Sequence, residues 1–131
     1  TVIAFAQNHE STPQRIDLVG LGPAPAAWAA AARAQARDAV GRAAIASNGF
    51  RFGNVKDIHD PNFLPAGARY FDLPGMLAVA APEPLWLGGE GDEAPEIVRA
   101  AYKAAGSSKS VTSFAGKTDQ AAAAVSWLLA D

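Results

Sequence analysis

Arg15-Ile16-Asp17-Leu18-Val19-Gly20-Leu21-Gly22-Pro23-Ala24-Pro25 is the stretch on which the reading of this 131-residue chain turns. Arg15–Val19, with Ile, Leu and Val, reads as a buried strand. Gly20 and Gly22 then mark a sharp turn. Pro25 fits the first turn of a helix, where its missing N–H is no loss. The run through Trp28 and Arg33 to about Arg37 is dominated by alanine, the strongest helix former. A strand feeding a helix through a tight turn is the building unit of parallel α/β sheets.

The same unit recurs along the chain. Arg42–Ala46 is a second short strand, ended by Ser47-Asn48-Gly49. Pro84–Gly88 is a third and Lys109–Phe114 a fourth. Helices are expected at Pro74–Ala80, Ala94–Ala105 and about Asp119–Leu129, the last with Val125, Leu128 and Leu129 at core-facing spacing. Thr1–Gln7 reads as the end of a helix. The segment from Phe50 to Phe71 holds Phe50, Phe52, Phe63, Tyr70 and Phe71 among Gly, Pro and Asp with no sustained period. Such a stretch either lines an apolar pocket or anchors itself to the core.

The expected fold is α/β, one domain over residues 1-131. It is a three-layer α/β/α sandwich with about four parallel strands in sequential order, flavodoxin-like in outline. Ligands of such sheets bind beyond the carboxyl ends of the strands. The residues that matter then lie in four loops, at 20–25, 47–53, 88–93 and 114–119.

Composition narrows the function. Half the residues are hydrophobic and 18% are charged, as in soluble globular proteins. A net charge of −2 without clustered Lys and Arg argues against nucleic acid and against an anionic membrane surface. No apolar run reaches the ~20 residues of a membrane span. Thr1–Gln7 lacks the basic region of a secretory signal and is too short for one. Without cysteine there is no disulfide or thiolate metal site, so the cellular compartment stays open. With only His9 and His59, and no carboxylate cluster at ligand spacing, neither a metal nor another cofactor is expected.

Three stretches resemble the C-terminal half of an α/β-hydrolase of the acetyl xylan esterase-like or dienelactone hydrolase-like kind. The first is Arg15–Gly22. The second runs from Leu73-Pro74-Gly75-Met76 through Ala81-Pro82-Glu83-Pro84 to Leu87. The third is the closing strand, loop and helix, ending Val125-Ser126-Trp127-Leu128. The resemblance implies a nucleophilic serine at the turn after the first strand, an acid after the third and a histidine after the fourth. Asp92 matches the acid. Gly22, within the turn Gly20-Leu21-Gly22-Pro23, stands at the serine position. Ala115-Gly116-Lys117-Thr118-Asp119 holds no histidine. The implied domain is a truncated, catalytically degenerate α/β-hydrolase fold. Its first strand presents an open edge, so a homo-oligomer or a complementing N-terminal segment is the expected partner.

Two other functional readings stay open. One is a carboxylesterase for short-chain acyl esters, with Ser47 as alternative nucleophile, His59 as base and Asp57, Asp60 or Asp92 as acid. The other is an inert C-terminal part of a larger esterase-like protein. A phosphate cradle at the glycine turn is disfavoured, because Pro25 replaces the third glycine of G-x-G-x-x-G and Ser47-Asn48 stand where a ribose-binding acid would end the next strand. Outside a triad, Asp92 reads as a cap for the helix near Ala94. Glu90 and Glu93 read as solvated, and His9 as exposed.

Overall fold

The computed structural model describes residues 2–116 and 118–130. The elements run α1 (Val2–Gln7), β1 (Asp17–Leu21), α2 (Pro23–Ala36), β2 (Arg42–Ala46), α3 (Asp72–Val79), β3 (Leu85–Gly88), α4 (Glu96–Ala104), β4 (Val111–Phe114) and α5 (Gln120–Leu129). The four strands form one parallel sheet in the order β1-β2-β3-β4. With sequential order and right-handed crossovers, the connecting helices must all lie on one face. Accordingly α2, α3 and α4 pack with Ala43, Ile45, Leu85 and Leu87 into one core. Helix α5 covers the other face, over Ala44, Ala46 and Trp86. This is the expected three-layer α/β/α fold.

Period-2 alternation divides the strands between the layers. In β2, Ala43 and Ile45 face the three-helix side, while Ala44 and Ala46 face α5. All four are fully buried, and alanine there lets the layers approach closely. Bulk on the α5 side comes from Trp86, stacked on Phe114 with ring centroids 5.3 Å apart. Helix α5 buries Ala124 and Leu128, whereas Val125 and Leu129 are exposed. Leu128 thus faces the core as expected and Val125 and Leu129 do not: Ala124 and Leu128 are four residues apart on one stripe, and Val125 and Leu129 lie a full residue's rotation away from it.

Element starts shift by two residues at the glycine turn, as they do at α3, α4 and β4. β1 lies two residues later than expected, because Gly20 and Leu21 still pair with Ile45 and Ala46. Helix α2 starts at Pro23 rather than near Pro25. A side chain at Gly20 would collide with the Pro25 carbonyl and the Ala29 methyl group. Glycine there allows strand and helix to lie in close contact.

At the opposite end of the sheet, the buried Arg33 of α2 reaches the start of β3. Its Nη2 donates to the carbonyls of Glu83 (2.5 Å) and Pro84 (3.1 Å) and to the Tyr102 hydroxyl (3.1 Å). Tyr102 Oη in turn donates to the Glu83 carbonyl at 2.6 Å. Burial raises the Tyr102 pKa, and the neighbouring Arg33 charge opposes that rise.

Candidate functional site

The carboxyl ends of the strands bring the four expected loops together. Leu21 pairs with Ala46, Ala46 with Gly88, and Gly88 with Phe114, so Gly22, Ser47, Gly89 and Ala115 follow one another across the sheet. Gly22 N donates to the Ala46 carbonyl at 2.9 Å, which ties the turn to the second strand. Gln120 Nε2 bonds Asn48 Oδ1 at 2.8 Å and the Gly116 carbonyl at 3.1 Å, joining the second and fourth loops. Lys117 of the last loop lies outside the described residues.

The turn itself carries no reacting group. Gly22 sits at φ +92°, with open space where a Cβ would stand. The helix that follows has prolines at 23 and 25, so two N–H groups of its first turn are missing. The Ala26 N–H is bonded to the Gly22 carbonyl at 2.9 Å. Little donor capacity is left for an anion, in keeping with the weak phosphate-cradle signal.

Ser47, next in line, is fully buried. Its Oγ donates to Glu90 Oε1 and accepts the Gly49 N–H at 3.3 Å. Glu90 is not solvated: its side chain is 4% exposed and clamped by Arg51, whose Nη1 and Nη2 lie 2.9 and 2.6 Å from the two carboxylate oxygens. This forked pair is the strong form of ion pair. The hydrogen bond to Glu90 raises the Arg51 pKa still further above its ordinary range. With both carboxylate oxygens engaged by the Arg51 guanidinium, Glu90 is held in place and in turn orients the Ser47 hydroxyl.

The remaining expected residues stand apart. His59 is exposed, and its backbone N–H donates to Asp57 Oδ1 at 2.9 Å. Asp60 accepts from the backbone and side chain of Asn62. Both aspartates therefore serve their own turn. Among the described residues no hydrogen bond joins the His59 ring to Ser47, and the exposed Asp92 has no side-chain partner. Nor does Asp92 cap α4, since Pro95 is the N-cap and the helix begins only at Glu96. Glu93 is exposed and pairs with Arg99 at 2.9 Å. His9 is exposed, as read, with Nδ1 accepting the Ser11 N–H at 3.2 Å.

The aromatic segment divides. Phe52 is buried in the core and contacts Phe50 edge-on at 5.1 Å. Tyr70 and Phe71 are exposed, and with Asp72 they form three successive non-glycine residues at positive φ (53°, 70° and 58°). The Asp72 carboxylate helps to hold this strained corner. It accepts the Phe52 and Gly53 N–H groups at 2.8 and 2.9 Å.

Arg51 and Glu90 are the site residues that sequence reasoning missed. Their signal was position: both lie in loops at the functional end of the sheet. Among the described residues no group of three His, Asp or Glu side chains is placed to hold a metal ion, and no helix is long and apolar enough to cross a membrane. No family model matches the chain, and no match was found among curated proteins or solved structures.

Proposed function

We propose that this chain is an α/β-hydrolase-like domain that has no catalytic triad of its own and acts by binding rather than by ester turnover. One observation carries the reading. The strand-to-helix turn, where a hydrolase presents its serine, is closed by Gly22 and offers no nucleophile. The esterase reading through Ser47 finds little support in the geometry, because that hydroxyl is buried and held by a carboxylate already paired with Arg51. With a chromogenic acetate ester, the purified chain is expected to give no saturable turnover above buffer, and Ser47→Ala to behave identically. Saturable turnover lost in Ser47→Ala would establish the esterase instead.

The open edge of β1 supports self-association as a second property. Ile16 O and Gly22 N both bond toward β2, so by the alternation of a parallel ladder Asp17, Val19 and Leu21 turn their backbone groups to the free edge. Val19 adds an apolar side chain, 50% exposed on the face that α5 covers. Unpaired edges of this kind take up another strand.

A further inference from the structure

We propose that the groove between α2 and the segment 61–64 binds a small, neutral aromatic molecule. The groove encloses about 220 Å³. It is lined by Ala27 and the exposed Ala31, four residues apart on α2, and by Trp28, Phe52, Phe63 and Leu64. Phe52 belongs to the core, so one wall is fixed. Trp28 is 70% exposed on a helix otherwise made almost wholly of alanine, and Phe63 and Leu64 are also exposed. Large apolar side chains left in water around a concave surface mark a site that gains by being covered.

Size and charge decide the occupant. A stable protein–protein contact buries roughly 1,200 Å² or more in total, so a protein partner would have to cover much surface beyond the groove. Its volume also falls below the roughly 300 Å³ at which pockets for drug-sized ligands begin. A single ring with a short substituent is therefore the fitting occupant. No Asp, Glu, Lys or Arg lines the groove, so a charged ligand would lose its hydration without a counter-charge. Flat aromatic walls favour an aromatic ring, which can stack or meet them edge-on. This inference is independent of whether the domain turns over esters.

The test is an amide NMR titration of the ¹⁵N-labelled chain with benzyl alcohol and, separately, with benzoate. The expected result is saturable shifts confined to Ala27, Trp28, Ala31, Phe63, Leu64 and their neighbours, with benzoate at least tenfold weaker. Ala31→Leu, which fills the groove from its exposed side, is expected to weaken benzyl alcohol at least tenfold while leaving the thermal melt unchanged. Should that variant unfold, Trp28→Ala, which removes one wall, is expected to show the same loss. Absence of saturable shifts at these amides, equal affinity for benzoate, or full affinity in a folded groove variant would overturn the proposal. So would shifts at the same amides driven by protein concentration alone, which would make a second copy the occupant.

Discussion

Glu90 holds the candidate site together, because its one carboxylate serves both the Ser47 hydroxyl and the Arg51 guanidinium. Replacing it by glutamine keeps an acceptor for the serine but leaves Arg51 without its counter-charge. Glu90→Gln is expected to lower stability by about 2 kcal/mol, the usual scale for a hydrogen-bonded charge, reduced somewhat because Arg51 is partly exposed. Urea unfolding measures it; an unchanged midpoint would mean that the pair contributes nothing. The sequence placed Ser47 correctly at the end of a strand, since a buried alanine strand followed by Ser-Asn-Gly defines its own limit. It could not show that Glu90 is buried. A glutamate between two glycines reads as solvated, and only the convergence of two loops distant in sequence supplies the arginine that lets it be buried. The same holds for Arg33, whose partners are carbonyls at the start of β3 and a tyrosine on α4.

At the level of elements, the strand and helix alternation was readable because the strands are short and mostly apolar and helices α2 and α5 are rich in alanine. Several element starts shifted by two residues, the junction of β1 and α2 among them. Two glycines and two prolines within six residues admit several turn positions, and the pairing of Leu21 with Ala46 selects the turn at Gly22. Burial on α5 was misjudged because alanine neighbours give the helix little amphipathic contrast, so Ala124 rather than Val125 faces the sheet. β1, like β4 at the other edge of the sheet, is paired on one side only. If its edge mediates self-association, Val19→Lys places a charge on the exposed face and blocks it. Light scattering across a concentration series is expected to show dimer or larger species for the wild-type chain and monomer for Val19→Lys. A wild-type monomer at every concentration, or an unaffected oligomer in the variant, would remove the edge from the account.

Across the whole molecule, three helices on one face and one on the other leave the carboxyl ends of four strands gathered at a single end, where parallel sheets place their ligand sites. That end holds a glycine at the turn, a locked serine, and no hydrogen bond from the His59 imidazole to that serine among the described residues. The aromatic groove on α2 lies on the three-helix side, beginning at Ala24, two residues beyond the turn. On the reading proposed above, such an arrangement serves binding, and ester cleavage is the alternative to be tested. The central claim, that no serine in the chain is activated for attack, is tested most directly by exposing the folded protein to a fluorophosphonate and weighing the intact chain by mass spectrometry. The expected result is an unmodified mass after prolonged incubation. A single stoichiometric adduct that maps to Ser47, or to any other serine of the folded chain, would contradict it.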